Sequence, residues 1–346
     1  MTDSINVALL THGRGAHVGA YLNALAATDE CSSVVLVDPD ARWDADAQRI
    51  LGSKLKRIER SHSEALNREQ PGMVLVTMEA QLAPPVIDAA LDADCHVFAE
   101  KPSCVRIADF QPLVAKADRQ HRHLMLAFAN RLNPEAIAAR RIISSGKIGR
   151  LYGLEMHLIA DQTRLTRSSY QQEWFSQKAR GGGGHLIWLG IHWLDLAMHL
   201  TGAGIESAAG FTTNIGGQPI DVEDSATAAL KFDNGMLGTI TSGYYLDRGY
   251  HSHIKIWGST GWIHLQPMQD QPLTWYSSTG PQAGRVQVWE GSKNPRGYTP
   301  FVQAAVKSCV TMNDPPVSAS DSLRALATVF GIYSAAQTNQ TVRIST

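Results

Sequence analysis

The sequence predicts an α/β protein in two parts, and three observations carry that expectation. Short apolar stretches alternate with helical patterns through the first part of the chain. A glycine-containing turn directly follows the first of those stretches. Beyond Phe128 the alternation gives way to longer strand-like runs, one pair of them joined by the hairpin signal Asn234-Gly235. At 346 residues the chain is too long for one compact core. Two domains are therefore expected, residues 1–128 with a parallel, doubly wound sheet and residues 129–346 of α+β type with an open, mainly antiparallel sheet.

The first domain reads as follows. Ile5 to Leu10 (INVALL) is a buried strand, and after the turn Tyr21, Leu22 and Leu25 recur at helical spacing. Strand, glycine turn and helix in that order form the layout of a dinucleotide-binding fingerprint. Gly13 permits the tight turn, and Gly15 lets backbone N–H groups approach a pyrophosphate at the helix N-terminus, with Ala16, His17 and Val18 completing the cradle. Val18 stands where a small residue is usual, and Gly19 comes one place late. Ser33 to Val37 is a second buried strand ending in Asp38. That carboxylate falls about twenty residues beyond the glycines, where it can accept from the adenosine ribose hydroxyls. No arginine adjoins it, so NAD is expected over NADP, with Arg42 near enough to keep NADP open. Met73 to Thr77, His96 to Ala99 and Leu124 to Phe128 are further strands, separated by helices through Ile87 and Phe110. Such alternation describes a Rossmann domain.

The stretch HVFAEKP, His96 to Pro102, draws particular notice. Glu100 and Lys101 emerge where the strand reaches the carboxyl edge of the sheet, the edge at which open parallel sheets bind ligands. Pro102 fixes its own φ and restricts Lys101, and a Lys-Pro bond can also be cis at modest cost. The plainer alternative is a solvated Glu-Lys pair at a strand end.

In the second domain, a helix through Ala136, Ile137 and Ile143 precedes strands at Leu151–Ile159, Ser225–Phe232, Gly238–Tyr244 and Ile254–Trp257. An open sheet face has to be buried, commonly against another subunit, so a homodimer or homotetramer through this sheet is expected. A helix from Asp321 to Ala336 and a strand at Val342–Ile344 close the chain. One segment breaks the pattern: a four-glycine run, Gly181 to Gly184, leads into a helix. On it His185, Trp188, His192 and His199 share one face by spacing, and Asp195 lies three residues beyond His192, within reach of its ring. The same spacing makes His192, Asp195 and His199 conceivable metal ligands. No cluster of cysteines or carboxylates supports them, and no metal is expected.

Composition excludes other classes. Acidic and basic residues nearly balance, 32 against 31, which argues against nucleic acid or an anionic membrane surface as partner. No apolar run approaches a membrane span, and the N-terminus lacks a basic region before its apolar residues. Cys31, Cys95, Cys104 and Cys309 form no paired pattern, as expected of a reduced, cytoplasmic protein. Asn339-Gln340-Thr341 matches a glycosylation acceptor by chance composition.

Taken together, Gly13/Gly15, Asp38, HVFAEKP, FANRLNP (Phe128 to Pro134), GGGHLIWLGIHWLD (Gly182 to Asp195), VEDSATAALKFDNG (Val222 to Gly235) and the final IYSAAQTNQTVRI resemble the Gfo/Idh/MocA oxidoreductases over essentially the whole chain. The family is named for glucose-fructose oxidoreductase, inositol dehydrogenase and a rhizopine catabolism protein. The resemblance implies hydride transfer between NAD(P) and a secondary alcohol of a polyol, sugar or cyclitol. It places Lys101 beside nicotinamide and substrate, His192 as acid/base, and Thr77 at the nicotinamide ribose. Residue types agree, since a histidine suits hydroxyl proton transfer and an ammonium can hydrogen-bond the reacting oxygen. Three departures stand out. Trp188 replaces the aspartate usual two residues before Gly190, with His185 as a substitute acid/base or Trp188 itself stacking on a sugar ring. Thr77-Met78-Glu79 replaces the usual Thr-Pro-Asn, with Leu82 in place of a histidine, and Val18 replaces a glycine. These losses leave two alternatives: a dinucleotide-binding sensor without turnover, or an NAD-dependent glycosidase of the same family. Further candidate substrate contacts are Arg131, Asp161, Arg164, Arg167, Tyr170, Trp174, Tyr244, Tyr245 and His251.

Overall fold

The computed structural model describes residues 4–246 and 248–345. The chain begins with β1 (Ile5–Thr11), α1 (Val18–Ala26), β2 (Cys31–Val37), α2 (Asp44–Leu51) and β3 (Leu55–Glu59). It continues with α3 (His62–Glu69), β4 (Met73–Thr77), α4 (Ala83–Asp92), β5 (His96–Ala99), α5 (Ile107–Arg119) and β6 (Leu124–Leu126). The six strands form one sheet in the order β3-β2-β1-β4-β5-β6, every pairing parallel. Strands β4 and β5 are buried at every position, as the inner strands of a sheet covered on both faces must be, and the short edge strand β6 is buried as well. The order reverses direction between β1 and β4, so the crevice at their carboxyl ends is the expected ligand site of such a fold. Strand β3 (LKRIE) was not legible in the sequence. It is an edge strand with two exposed residues, and its charges mask its period.

The rest of the chain supplies α6 (Pro134–Ser144), β7 (Leu151–Asp161), α7 (Ser168–Gln171), α8 (Lys178–Gly181), α9 (Ile191–Thr201), β8 (Ile205–Thr213), β9 (Ser225–Phe232) and β10 (Leu237–Leu246). After these come β11 (Tyr250–Gly258), β12 (Gly261–Leu265), β13 (Leu273–Ser277), β14 (Val286–Val288), α10 (Tyr298–Thr311), α11 (Ala319–Thr338) and β15 (Val342–Arg343). Strands β7 to β15 make a nine-stranded sheet in the order β14-β13-β12-β11-β7-β10-β9-β8-β15. Every pairing is antiparallel except β10 with β7. Grouped by contacts, the first unit takes residues up to Leu132 together with Ala179–Gly182 and Pro295–Leu323, and the second takes Asn133–Lys178, Gly183–Asn294 and the chain from Arg324. The two sheets are separate in sequence, β6 ending at Leu126 and β7 starting at Leu151, whereas α10 packs with the first unit: Phe301 lies 5.5 Å from Phe98, and Tyr298 lies 5.0 Å from Tyr21.

One face of the nine-stranded sheet carries the core side chains Leu154, Met156, Leu158, Ile254 and Ile256, and the other is exposed to half-exposed in its central strands. Paired residues lie side by side there in rows. One row reads Phe211, Thr227, Thr241, His157, His253, and the next Ala209, Ala229, Thr239, Glu155, Lys255, His264, Thr274. Phe211 and Leu237 on this face are 71% and 63% exposed.

The four-glycine run has a steric cause. Gly182 sits at φ +84°, and a Cβ there would meet the Val105 backbone. A Cβ on Gly183 would stand 2.2 Å from Tyr333 Oη, and one on Gly184 1.9 Å from the Glu223 carbonyl oxygen. Glu223 then uses both carboxylate oxygens to start the following helix, accepting from Gly184 N (2.7 Å), Leu186 N (3.0 Å) and Tyr333 Oη (2.8 Å). Gly184→Ala is therefore expected to destabilise the protein by roughly 3 kcal/mol, read as a fall in Tm. An unchanged Tm would contradict this packing.

Candidate active site

In the first unit the glycine turn is built for close approach. A Cβ on Gly15 would lie 2.1 Å from Thr11 Oγ1 and 2.7 Å from the Thr77 carbonyl oxygen. Thr77 Oγ1 donates to the Ala16 carbonyl, tying the end of β4 to the turn, and His17 enters α1 in the left-handed region at φ 60°. No side chain caps α1, so the amides of its first turn, beginning at Val18, face the switch-point crevice ready for an anion. These residues fit a dinucleotide pyrophosphate. Gly13 is clasped on both peptide groups: its N–H donates to Asp40 Oδ2 (2.6 Å) and its carbonyl accepts from Arg42 Nη1 (2.6 Å). Asp38 is fully buried, and its carboxylate already accepts from Asp40 N (3.1 Å) and Trp43 N (2.8 Å). Two more lone-pair directions remain for a ribose diol. Asp40 was missed in the sequence because the fingerprint points only to the strand end.

At the end of β5, Glu100 and Lys101 are both buried, at 1% and 2% exposure. The plain alternative of a solvated pair is thereby excluded. The Lys101-Pro102 peptide is cis. Burial lowers the Lys101 ammonium from its ordinary range to about 8, with Glu100 opposing the shift. Tyr21 of α1 donates to Glu100 Oε2, and Tyr298 adds a second phenol close by. Burial and the adjacent carboxylate push both phenols well above their usual range, so they serve as hydrogen-bond donors. His17 packs on Tyr298 at 5.0 Å. This phenol pair was not foreseen, because Tyr298 lies nearly two hundred residues beyond Glu100 in the chain and only the tertiary fold joins them.

Glu79, standing where Thr-Pro-Asn is usual, forms a two-pronged ion pair with Arg180, and its Oε1 lies 3.7 Å from His12 Nε2. Arg131, expected at the substrate, is buried and pairs with Asp321 at 2.9 Å, an anchor for the start of α11.

In the second unit the chain from Leu186 to Gly190 is a π-helical turn that runs into α9. That wider turn breaks the single face expected for His185, Trp188 and His192. His185 is fully buried, its Nδ1 2.6 Å from Ser242 Oγ and its ring edge-on to Tyr244 at 4.4 Å. Burial lowers it to about 3, so it is neutral. Trp188 and His192 stay partly exposed. Trp188 stacks on Phe175 at 4.6 Å and meets the edge of the buried Trp174 at 5.2 Å. His199 lies 3.2 Å from Arg140 Nη1, a cationic neighbour unsuited to a metal ligand. Among the described residues no group of three or more His, Cys, Asp or Glu could hold a metal ion. Asp161 accepts from Thr163 N and Thr163 Oγ1, capping the turn after β7. Tyr170 and Tyr244 share a hydroxyl contact of 2.5 Å, and Arg164 lies over the Tyr250 ring at 5.1 Å. Arg167, Tyr245 and His251 are exposed.

A parallel sheet with an uncapped helix at its switch point, and a buried lysine at the adjoining strand end, define a dinucleotide-dependent oxidoreductase. Residues 6–128 match the model of an oxidoreductase family with an NAD-binding Rossmann fold, and residues 136–264 match the GFO/IDH/MocA C-terminal domain. The chain belongs to the Gfo/Idh/MocA oxidoreductases. It is similar to a myo-inositol 2-dehydrogenase from Thermotoga maritima, at 22% identity over 275 residues, 78% of this chain and 79% of that protein. Among solved structures it superposes on an oxidoreductase domain protein from Kribbella flavida with TM-score 0.89 and 22% identity, each chain covered completely. It also superposes on levoglucosan dehydrogenase in complex with NADH, with TM-score 0.87, 18% identity and coverage of 98% and 99%. Among the described residues no helix is long and apolar enough to cross a membrane, and the four cysteines are buried thiols.

Proposed function

We propose that this protein oxidises a secondary hydroxyl of a sugar, polyol or cyclitol with NAD, Lys101 and His192 acting at the reacting hydroxyl. The observation that carries the reading is Lys101, an ammonium buried at a ligand-binding sheet edge with its pKa lowered to about 8. Bound nicotinamide supplies the hydride acceptor. Lys101 Nζ donates to the substrate oxygen and stabilises charge developing there. The His192 ring accepts the hydroxyl proton. Gly15, Ala16, His17 and Val18 receive the pyrophosphate, Asp38 the adenosine ribose, and Thr77 and Glu100 border the nicotinamide side. His185, neutral and buried, sets the Ser242 and Tyr244 surroundings and is a poor proton carrier. Trp188 supplies an aromatic surface for a sugar, backed by Trp174 and with Asp161 as a polar neighbour, whereas Arg131 is taken up by Asp321. Similarity to proteins named as inositol and levoglucosan dehydrogenases supports the substrate class. A reduced, cytoplasmic setting agrees with four buried free thiols.

A spectrophotometric screen of sugars and cyclitols for NAD reduction tests the proposal. Clear NAD binding with no NADH formed from any of them would move the reading to the sensor or the glycosidase. In this reading two carboxylates, Asp38 and Asp40, face the adenosine 2′ position, while the neighbouring cations are engaged elsewhere, Arg42 on the Gly13 carbonyl and Arg60 on Asp44. NAD is therefore expected to bind at least about 10-fold more tightly than NADP, measured by fluorescence titration. Equal affinities would overturn the ribose assignment. Trp188→Ala is expected to raise KM by about 10-fold with kcat little changed, since a stacking surface serves ground and transition state alike. A fall in kcat alone would remove Trp188 from the substrate surface.

A second copy of the chain covers the open face of the nine-stranded sheet in this reading. Seven inner strands at about 4.8 Å spacing and roughly seven residues long give on the order of 800 Å², the size a stable partner surface requires. Exposed Phe211 and Leu237 supply apolar area. Glu155 and Lys255, side by side in register, make the face electrically self-complementary, as a two-fold contact demands.

A further inference from the structure

We infer that the histidines of the open sheet face make self-association acid-sensitive, a neutral histidine stack closing the contact and a protonated one opening it. This rests on the reading that a second copy covers that face. His157 and His253 are register partners on β7 and β11, their rings stacked at 4.5 Å and 19°. His264 on β12 meets His253 edge-on at 5.2 Å. Three partly exposed imidazoles so close on one open sheet face have no part in the chemistry proposed for Lys101 and His192.

Charge facing the stack comes from few groups. Strand β7 presents Glu155, whose Oε1 lies 3.3 Å from His253 Nε2. Strand β11 presents Lys255 and, at its outer end, His251. Lys255 is register partner to both Glu155 and His264 and lies over the Trp257 and Trp262 rings. Strand β10 offers Thr239 and Thr241, and strand β13 Thr274 and Tyr276, none of them an acid or base of the Asp, Glu, Lys, Arg or His type. With the rings neutral, Glu155 and Lys255 cancel. With the three rings protonated, the patch carries a net charge of about +3 and meets an identical patch across a two-fold contact.

The sign follows from burial. Desolvation and the neighbouring histidine already lower His253 and His264, and a covering copy removes more water and adds like charge. A histidine whose pKa falls further on association supports the assembly above its value in the separate protomer. That support is lost as pH falls through it, in the region below about 6.5.

Sedimentation of the full-length protein across a concentration series tests this. The dissociation constant is expected to rise by at least about 10-fold between about pH 7.5 and about pH 5.5. The variant H157Q/H253Q/H264Q should hold its association constant over the same range, and H264Q alone should show a reduced pH dependence if the triple variant does not fold. Equal association of the native protein at both pH values would overturn the switch while leaving the covered face intact. Acid dissociation of the glutamine variants as steep as that of the native protein would also overturn it. A native protein monomeric at both pH values would overturn the covered-face reading, and the switch with it. Thr239→Arg supplies the control: it should abolish association at either pH if this face is the one covered.

Discussion

Lys101→Met is expected to lower turnover by about 10³-fold while leaving NAD affinity within about 3-fold, measured by steady-state kinetics beside fluorescence titration. Methionine keeps much of the buried volume and removes the charge. The same substitution should raise the melting temperature. Burial holds the native ammonium at about 8, below the ordinary lysine value. Below pH 8 the fold therefore bears the cost of burying a charge, a cost relieved as pH rises from about 8 toward about 10.4. Loss of activity with gain of stability marks a residue retained for chemistry. A drop in both would make Lys101 a structural lysine. If the ammonium is the working form, kcat/KM should decline as pH rises through about 8, and in Lys101→Arg this limb should disappear because a guanidinium does not titrate there.

His192→Ala is expected to reduce kcat by about 10² to 10⁴-fold with cofactor binding unchanged, the range lost when a positioned proton acceptor is removed. His192 stays partly exposed on α9, whereas His185 is fully buried with its pKa lowered to about 3. These two histidines can therefore be separated experimentally. His185→Gln should leave the pH dependence of kcat in place, while His192→Ala should remove its acid limb. An unaltered acid limb in His192→Ala would assign the proton to another group.

The nucleotide domain was readable because its strands are short apolar runs bounded by turns, and its glycine turn sits where the fold needs it. Residues such as Leu9, Val76 and Phe98 have no exposure, and their hydrophobicity alone marks them. Less of the second sheet was legible. Strands β8, β12, β13 and β14 went unread, because a strand with one open face mixes Thr, Ser, His and Gly among its apolar residues and blurs the alternation. The histidine helix was placed correctly in sequence but given the wrong phase. A π-helical turn leaves no compositional mark, so the shared face predicted for His185 and His192 dissolved into one buried ring and one accessible ring. Partnerships such as Tyr21 with Glu100, or Glu223 with the start of the helix, join residues 79 and 37 to 39 positions apart and follow only from tertiary packing.

The pairing of β7 with β10 and β11 also has a consequence for synthesis. Both neighbours of β7 in the sheet are encoded well after it, β10 starting at Leu237 where β7 ended at Asp161. At typical elongation speeds roughly eighty residues take on the order of 4 to 16 s to emerge, and during that interval both edges of this strand are unpaired outside the ribosome. The sheet's central strand is thus the first made and waits for both of its neighbours. Nascent chains truncated between β7 and β10 should consequently be the aggregation-prone species of this protein, and the ones on which chaperones dwell longest.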